Sequence, residues 1–470
     1  MSVTPVYTEP ARQLETLGEY DVIVCGGGPA GCAAALSSAR AGARTLIVEK
    51  DGQLGGAPVN QLVVVILSTN GVDFQGPWHE VMTRMRKRDA VDLRWTGTGG
   101  QYEGITDPEE IKHVWDDLLD ESRVEMLHHV LASRTMIEDG VVTGLCVETR
   151  AGRRAIHAKR VIDATGDGTV AAESGVAWEQ GDGVNPWAMA ATKVFRLGNV
   201  RWPDDFPNDD AMHRIEEDLD DAIARGDYQT PVITTKKRLL GYIHSRNWML
   251  PGKRGEMTSI LSRVLEVDPL DPVSLTRAER EGRKQAVEAA DFYRRFVPGF
   301  ENSYLLDTSN ALGVRSSRRL RGIATVTEDD ARNLKRYPDG IARSSWDIDV
   351  WPATSVTAPA VDRETDEFAE RRALMQQGAC FDIRYGCIVA EGLDNLLMAG
   401  RCISAEHVAQ SSLRIQQTCM ATGQAAGVAA ALSIDAGVTP RELDPAVVVE
   451  RLAHDRASVE PAFEELKDMM

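Results

Sequence analysis

DVIVCGGGPAGCAAALSSARAGARTLIVE, residues 21–49, contains an apolar strand, a glycine-rich turn, a helix and a second strand. Val22, Ile23 and Val24 are β-branched and apolar, which is typical of a parallel strand buried on both faces. They lead directly into the turn Gly26–Gly31, and a helix is predicted from Pro29 to about Ala41. This order predicts a strand–turn–helix unit in which backbone approaches a ligand.

The spacing of the glycines indicates which ligand the turn binds. Gly26 permits a tight turn, Gly28 leaves room for backbone N–H groups to approach a pyrophosphate, and Gly31 lets the helix pack closely on the strand. Glu49 follows about 20 residues later, where a carboxylate accepts hydrogen bonds from adenosine ribose hydroxyls. A glycine turn alone also occurs in loops that bind nothing, but strand, helix and acid together favour a dinucleotide. NAD and FAD share this turn, so it does not distinguish them.

Length and charge limit the classes of protein. A chain of 470 residues is long enough for two or three domains, and a net charge of −18 argues against a nucleic-acid partner. The apolar run Leu62–Leu67 is too short to span a bilayer, and residues 1–18 are polar rather than signal-like. The sequence therefore predicts a cytoplasmic protein without a membrane partner.

Cysteine and histidine spacing gives no sign of a metal site. The seven cysteines include no Cys-x-x-Cys pair, and the nine histidines show no His-Glu-x-x-His spacing. We predict buried thiols and no metal. A disulfide mechanism is disfavoured, although two cysteines distant in sequence can still meet in space.

Other small-residue segments suggest further backbone contacts with a cofactor. Gly55-Gly56 follows Glu49, and the apolar strand Val161–Asp163 runs into Ala164-Thr165-Gly166. Leu396–Gly400 is predicted as a buried strand that reaches a glycine, and the small-residue stretch Thr418–Leu432 as a helix whose N-terminus faces a ligand. The alternatives are plain tight turns and a helix that only packs in the core.

The remaining segments predict helices, a hairpin and an insertion. Asp107 and Pro108 begin a helix that runs to about Ser122, and the strands 124–130 and 140–148 are expected to form a hairpin around Asp139-Gly140. The basic run 84–88 is interpreted as a solvated helix face, with a phosphate site as the alternative. Between Gly175 and Met375, tryptophans, prolines and charged helices such as 276–296 replace small-residue strands, which suggests a substrate region.

Five motifs in order resemble the FAD-dependent oxidoreductase family that shares the glutathione-reductase-like FAD fold and is distantly similar to fumarate reductase flavoproteins. They are GGGPAG at 26–31, EKDGQLGG at 49–56, VIDATGDG at 161–168, GVRSSRR at 313–319, and a long C-terminal block at 381–427. They span the whole chain and favour FAD over NAD. The resemblance implies an α/β fold: a Rossmann-like FAD-binding domain of the glutathione-reductase type with an inserted α+β substrate domain.

The resemblance also implies a set of FAD-binding residues. Pyrophosphate contacts fall on Gly26, Gly28, Pro29, Ala30 and Gly31; contacts to the adenosine half fall on Glu49, Lys50, Val130, Ala164, Thr165 and Gly166; and contacts to the ribityl chain and flavin edge fall on Gly55, Gly56, Gly400, Arg401, Thr418 and Cys419. Many relatives have Gly-Asp where this chain has Gly400-Arg401, so only a backbone contact carries over at Arg401.

The predicted domain limits rest on the reappearance of segments rich in small residues near Gly378. They are an N-terminal arm (1–17), a first FAD-binding part (18–175), an inserted substrate domain (176–375), a second FAD-binding part (376–436) and a C-terminal helical appendage (437–470). The segment Gly97–Gly100 follows no apolar strand, so no second dinucleotide turn is predicted, which disfavours a separate nicotinamide domain.

The predicted function is hydride transfer between a small organic substrate and flavin by a dehydrogenase or oxidase. A flavin-dependent reductase or monooxygenase and a flavin-fold binding protein without turnover, as in the GDP dissociation inhibitors, are the alternatives. The substrate, the electron acceptor and the oligomeric state, including a homo-oligomer, stay open.

Three residues are candidates for the chemistry. His407 is the candidate base, because a neutral imidazole accepts a proton in the working pH range. Arg315 and Arg414 are candidates for stabilising an anionic group of the substrate or a developing negative charge. The alternative is a structural histidine with two arginines in domain-interface ion pairs.

Overall fold

The computed structural model describes residues 7–72, 76–95, 102–235, 243, 247–252, 255–356 and 365–455. The strands are β1 (Thr16–Cys25), β2 (Thr45–Glu49), β3 (Val65–Ser68), β4 (Val91–Trp95), β5 (Tyr102–Thr106), β6 (Glu125–His128), β7 (Leu131–Glu138), β8 (Val141–Thr149), β9 (Gly152–Asp163), β10 (Trp178–Glu179), β11 (Phe195–Gly198), β12 (Asn247–Met249), β13 (Met257–Ser259), β14 (Tyr304–Thr308), β15 (Arg319–Leu320), β16 (Gly340–Ser344), β17 (Phe381–Arg384) and β18 (Leu396–Met398). The prediction for Gly97–Gly100 lies outside the described residues.

Helices occupy much of the rest. They are α1 (Pro29–Arg40), α2 (Ala57–Asn60), α3 (Trp78–Lys87), α4 (Pro108–Glu121), α5 (Thr169–Glu173), α6 (Asp209–Ala224), α7 (Pro231–Thr234), α8 (Pro272–Phe296), α9 (Glu328–Arg332), α10 (Asp366–Gln376), α11 (His407–Leu413), α12 (Gln416–Asp435) and α13 (Pro445–His454). Among the described residues, no helix has both the length and the apolar character that crossing a membrane requires.

A seven-stranded sheet forms the framework of the first core. Its order is β6-β2-β1-β9-β8-β7, and β18 pairs with the C-terminal part of β9. Strands β6, β2, β1, β9 and β18 are parallel, with Val24 opposite Ile47 on one side and Ile162 on the other. The carboxyl ends of β1, β2, β9 and β18 therefore meet at one edge, and such an edge is where an open α/β sheet binds ligands. The Rossmann-like α/β fold is confirmed.

One predicted pairing is wrong. The Asp139-Gly140 turn joins β7 to β8, and the strand that precedes β7, Glu125–His128, pairs in parallel with β2 instead of forming a hairpin. Alternation of apolar residues indicates that a segment is a strand but does not identify its partner.

Two small-residue helices, α1 and α12, pack against each other behind this edge. A Cβ on Gly423 would overlap the carbonyl oxygen of Ala30, and one on Gly427 would overlap that of Ala34. The two backbones therefore touch, as the small-residue stretch of α12 predicts. This contact holds the N-terminal ends of both helices in the core that also contains the central sheet.

A second core is built on different side chains. The antiparallel sheet β12-β13-β11-β14 packs with residues of α6 and α8 around aromatic side chains such as Phe195, Phe292 and Phe300. Leu320, Ile341 and other residues of 320–342 pack in the first core instead. The partition into two FAD-binding parts and an insertion stays a prediction.

The basic run at the end of α3 is an ion-paired surface. Arg84 pairs with Glu80 and Glu121, and Arg88 pairs with Glu110 and Asp117. These contacts agree with the interpretation of a solvated helix face.

Candidate functional site

A cavity of about 490 Å³ opens at the carboxyl edge of the central sheet. One side comes from the strand ends and turns of the first core, and the other side comes from residues between 269 and 314. The lining residues are Gly26, Gly28, Pro29, Ala30, Glu49, Lys50, Asp51, Gly56, Ala57, Asn60, Gln61, Ala164, Thr165, Gly166, Asp167, Pro269, Leu275, Thr276, Glu279, Ala311, Leu312, Val314, Ala399, Gly400, Arg401, Arg414, Gln416 and Cys419.

Glycines bring three backbone segments together at one end of the cavity. Gly26 has a φ of +99°, and a Cβ there would lie 2.6 Å from the carbonyl oxygen of Ala164. A Cβ on Gly56, whose φ is +59°, would lie 2.6 Å from Gly28 Cα. A Cβ on Gly28 would come no closer than 3.9 Å to any other atom, so Gly28 faces open space, as a residue beside a ligand should. The turn is thus a backbone cradle at the N-terminus of α1, where N–H groups favour an anion.

Both carboxylate oxygens of Glu49 accept backbone hydrogen bonds, one from the glycine turn and one from the segment after β2. Its Oε2 accepts a hydrogen bond from the Gly27 N–H at 2.5 Å, and its Oε1 accepts one from the Asp51 N–H at 2.8 Å. Lys50 pairs with Asp51 at 2.7 Å, and Asn60 Nδ2 donates to the same Asp51 carboxylate at 2.9 Å. Asp51 and Asn60 line the cavity and were missed in the sequence, because a single polar residue in a turn or a short helix belongs to no recognisable pattern.

A buried carboxylate shapes the loop after β9. Asp163 accepts hydrogen bonds from the backbone N–H and Oγ1 of Thr165 and from the N–H of Ala171. Burial nevertheless raises the pKa of Asp163. The loop is fixed by these contacts so that Ala164, Thr165 and Gly166 present backbone to the cavity.

Arg401 and Asp167 form an ion pair in the cavity wall. Arg401 Nη2 lies 2.8 Å from Asp167 Oδ1, and its Nε donates to the Gly166 carbonyl at 2.9 Å. Burial opposes ionisation of Asp167, but Arg401 and a hydrogen bond from Ser317 outweigh it and hold the pKa of that carboxyl below its usual value. The cation at position 401 is therefore compensated within the protein.

The start of α12 forms another part of the wall. Gln416 and Cys419 line the cavity. Thr418, which precedes Cys419, is fully buried, and its Oγ1 has no hydrogen-bond partner among the described residues. Burial, only partly offset by Arg401 and Arg414, raises the pKa of the Cys419 thiol to about 12. Cys419 is thus a neutral thiol at physiological pH, and all seven cysteines are free.

Arg414 reaches the cavity with a carboxylate beside it. Its Nη2 donates to the backbone carbonyl and to Oδ2 of Asp349, both at 3.1 Å. Trp351 Nε1 donates to the same carboxylate at 3.0 Å, and the Arg315 guanidinium lies 5.4 Å from the Trp351 ring. Burial lowers the pKa of Arg414, and Asp349 opposes that shift.

The facing wall comes from α8 and the segment 311–314. Glu279 reaches the cavity, yet its Oε2 pairs with the buried Lys193 at 2.6 Å and its Oε1 accepts the Leu312 N–H at 2.7 Å. Leu275 and Val314 make part of this wall apolar. Sequence reasoning missed these residues, because a charged helix gives no sign of which face meets a ligand.

Two predicted catalytic residues, His407 and Arg315, lie outside the lining. Arg315 donates to the Ala190 carbonyl. Burial, with Arg319 nearby, lowers the pKa of His407 to about 4, which keeps the imidazole neutral near pH 7. Among the described residues, nothing hydrogen-bonds to its buried Nδ1. The catalytic assignments stay predictions.

Most predicted cofactor residues do line the cavity. Those that do not are Gly31, Gly55, Val130 and Thr418. Gly31 and Gly55 instead hold neighbouring backbone: a Cβ on Gly31 would overlap the Gly26 carbonyl oxygen, and the Gly55 N–H donates to the Gly27 carbonyl at 2.8 Å. The Val130 N–H donates to the Glu49 carbonyl at 3.0 Å.

The cavity fits FAD on structural grounds. The glycine cradle suits a pyrophosphate, and Gln416, in the wall formed by α12, has a buried Oε1 with no hydrogen-bond partner among the described residues. An unsatisfied buried polar atom is costly unless a ligand pairs with it. These residues would hold the two ends of a dinucleotide.

Comparisons with known proteins agree. Residues 21–452 match the family described as FAD dependent oxidoreductase. Digeranylgeranylglycerophospholipid reductase 2 of Methanopyrus kandleri is 30% identical over 157 residues, which is 32% of this chain and 38% of that protein. The tRNA uridine 5-carboxymethylaminomethyl modification enzyme MnmG of Bacillus velezensis is 30% identical over 161 residues, 32% of this chain and 24% of that protein.

The chain thus spans well under half of the length of either relative. A crystal structure of a geranylgeranyl bacteriochlorophyll reductase-like protein from Thermoplasma acidophilum aligns with a TM-score of 0.48 at 13% identity, over 94% of this chain and 84% of that one. The family match covers nearly the whole chain and coincides with the glycine cradle. The chain therefore belongs to the FAD-dependent oxidoreductase family, and its cofactor is FAD.

Proposed function

We propose that the chain catalyses hydride transfer between a small organic substrate and FAD. The observation that carries the proposal is that one cavity has a cofactor side, built by glycines of the central sheet, and a second side built by α8 and residues 311–314. Bound FAD supplies a two-electron acceptor or donor. The second wall is then in a position to hold the substrate beside the cofactor.

The charges of the second wall suggest what kind of substrate fits. Glu279 is neutralised by Lys193, and Arg414 is paired with Asp349. Leu275, Leu312 and Val314 offer apolar surface. We expect a small, partly apolar substrate that Arg414 orients through a polar or anionic group.

Proton removal is assigned to His407. A neutral imidazole is the form that accepts a proton, and the pKa of about 4 keeps His407 in that form at neutral pH, although it makes the imidazole a weak base. Because His407 does not line the cavity, it would act on a substrate only through a rearranged side chain or a bridging water.

A substrate screen tests the proposal directly. Purified protein should be yellow, acid should release FAD, and a true substrate should bleach the flavin under anaerobic conditions. Readmission of oxygen then separates outcomes: an oxidised substrate supports hydride transfer, whereas an oxygenated product identifies a monooxygenase. If a reduced nicotinamide bleaches the flavin and the reduced flavin then reduces the organic molecule, the protein is a reductase. Failure of every electron donor to reach the bound flavin would contradict catalysis.

A variant pair tests the base. His407→Ala should retain its FAD and slow substrate-driven bleaching about a hundredfold, the usual scale for a lost general base. His454→Ala, at an exposed histidine ending α13, is the matched control and should bleach at the parent rate. Parent-rate bleaching in the His407 variant would make the assignment wrong.

A further inference from the structure

Arg401 has a donor that the protein does not use. Its Nε donates to Gly166 and its Nη2 to Asp167, while Nη1 has no hydrogen-bond partner among the described residues. The side chain lines the cavity and keeps 18% of its surface accessible. An acceptor inside the cavity therefore has room to meet Nη1.

The guanidinium is held in place before any ligand arrives. A Cβ on Gly166 would lie 3.1 Å from Arg401 Cζ, so the guanidinium packs against the Gly166 backbone. Ser317 Oγ donates to the Asp167 carboxylate at 2.7 Å, and Arg318 Nη1 donates to the Asp167 carbonyl at 3.2 Å. Asp167 is thus fixed from a second segment, and it fixes Arg401 in turn.

The position of Arg401 is at the phosphate end of the cavity. The loop that it contacts packs on the glycine turn, since a Cβ on Gly26 would lie 2.6 Å from the Ala164 oxygen and 3.0 Å from Thr165 Cα. The backbone just before Arg401 also touches α1, because a Cβ on Gly400 would lie 3.0 Å from Ala30 Cβ.

The charge balance at this end leaves a need for a cation. A helix N-terminus offers about half an elementary charge, which falls short of a pyrophosphate's two. Lys50 is paired with Asp51 and Arg414 with Asp349, as Arg401 is with Asp167. Arg401, however, contacts Gly166 in the loop that packs on the glycine turn, which places its guanidinium at the phosphate end. A guanidinium with a free edge is well suited to phosphate oxygens, because its planar N–H groups donate charge-assisted hydrogen bonds.

We propose that the Arg401 side chain binds the pyrophosphate of FAD through Nη1, with Asp167 as its positioning residue. This extends the expectation from the sequence, which was limited to a backbone contact at this position. The inference concerns cofactor binding and stands or falls independently of the substrate chemistry proposed above.

The test compares ligands that differ in phosphate. The FAD dissociation constant of the full-length chain is measured by equilibrium dialysis, and ADP and riboflavin are then titrated as competitors. In Arg401→Gln, the constants for FAD and ADP should rise about 10- to 100-fold, the scale of a lost charged hydrogen bond, while that of riboflavin stays unchanged. Arg401→Lys, which keeps the charge but loses the fork, should lie between.

A matched control and a salt series sharpen the result. Arg88→Gln removes a cation of the ion-paired α3 surface that does not line the cavity, so it should leave both nucleotide constants unchanged. The salt dependence of ADP binding should weaken in Arg401→Gln, because one fewer cation meets the phosphates.

Three outcomes would overturn the proposal. They are unchanged FAD and ADP binding in both Arg401 variants, an equal loss of riboflavin binding, which indicates a structural role, and loss restricted to an anionic substrate. If Arg401→Gln does not fold, Arg401→Lys decides by the same ADP-to-riboflavin comparison.

Discussion

The two cores of this protein achieve tight packing in opposite ways. Where α1 meets α12, Gly423 and Gly427 bring backbone against backbone, and both helices consist largely of small residues. In the second core the fit is between rings, with Tyr293 and Phe300 stacked at 5.1 Å between centroids. Packing in the first region depends on glycines that let two backbones touch, whereas packing in the second depends on large side chains that fill the space.

This difference bears on function, because glycines of the first region line the cavity. Ala30 belongs both to the contact with α12 and to the cavity lining. Packing and FAD binding are therefore inseparable there. In the second region, the buried rings Phe195, Phe292, Tyr293 and Phe300 do not line the cavity, so packing and cofactor binding should separate.

The largest effect is expected from Gly423→Ala. The added Cβ would overlap the Ala30 carbonyl and lie 2.9 Å from Ala30 Cα, and neither backbone can move without shifting the glycine turn. We expect a loss of about 4 kcal/mol or more in the free energy of unfolding, with loss of bound FAD. Denaturant titration and flavin absorbance measure both.

The control isolates backbone strain from overlap. Gly42→Ala adds a Cβ where nothing lies within 4 Å, at a φ of +98°, and should cost only about 1 kcal/mol with FAD retained. Equal losses in the two variants would show that overlap with α1 adds nothing to the cost of the Gly423 substitution.

The contrast also explains what the sequence predicted. The strand–turn–helix unit at 21–49 and the limits of α1 and α4 were predicted correctly, because glycine spacing, proline at the first turn and capping acids act locally. The strands of the second sheet, three to five residues long, were not predicted. Segments of that length carry little periodicity, and their pairing depends on partners far along the chain.

The site divides in the same way. Gly26, Gly28, Ala30 and Gly56 follow from a motif, whereas Glu279 reaches the cavity only because α8 crosses it. Asp167 lay inside a quoted motif, but its pairing with Arg401 depends on two loops that are more than 200 residues apart in sequence. Sequence motifs describe short segments and therefore do not predict contacts between residues so far apart.

Phe292→Ala should give the second-largest effect, and it tests the second core in the way that Gly423→Ala tests the first. Phe292 is fully buried, and its removal leaves a cavity that should cost about 3–4 kcal/mol. FAD should stay bound, while the second core unfolds at lower denaturant. Val287→Ala, at an exposed position of the same helix, is the control and should have little effect. Release of FAD from the Phe292 variant at low denaturant would show that the two cores unfold as one.

The third prediction concerns His407, the first residue of α11. Burial, then Arg319, lowers its pKa from the ordinary 6.5 to about 4. Between these values the unfolded chain binds a proton that the folded chain does not, so stability falls as the pH drops from 6.5 towards 4. The loss attributable to this group is at most about 3 kcal/mol. Denaturant titrations at pH 7.5 and 5 should show a smaller loss for His407→Gln than for the parent; equal losses would contradict the shift.

The smallest expected effect tests whether FAD supplies the hydrogen-bond partner that the buried Thr418 hydroxyl lacks. Thr418 and Thr422 lie on α12, but only Thr422 has its hydroxyl satisfied, accepting the Gly400 N–H at 3.1 Å and donating to the Cys419 carbonyl at 2.9 Å. Without FAD, Thr418→Val removes a buried hydroxyl that has no partner among the described residues, so stability should stay constant or rise by up to about 1 kcal/mol. Thr422→Val should instead cost about 1–2 kcal/mol, because it leaves the Gly400 N–H unpaired.

When FAD is present, Thr418→Val should become the unfavourable substitution. If the Thr418 hydroxyl pairs with the flavin edge, Thr418→Val weakens FAD binding about tenfold while the FAD-free chain is no less stable. Denaturant titration of the FAD-free chain and equilibrium dialysis of FAD measure the two effects separately. A Thr418 variant that loses stability without FAD, or that binds FAD as the parent does, would show that this hydroxyl is not kept unpaired for the cofactor.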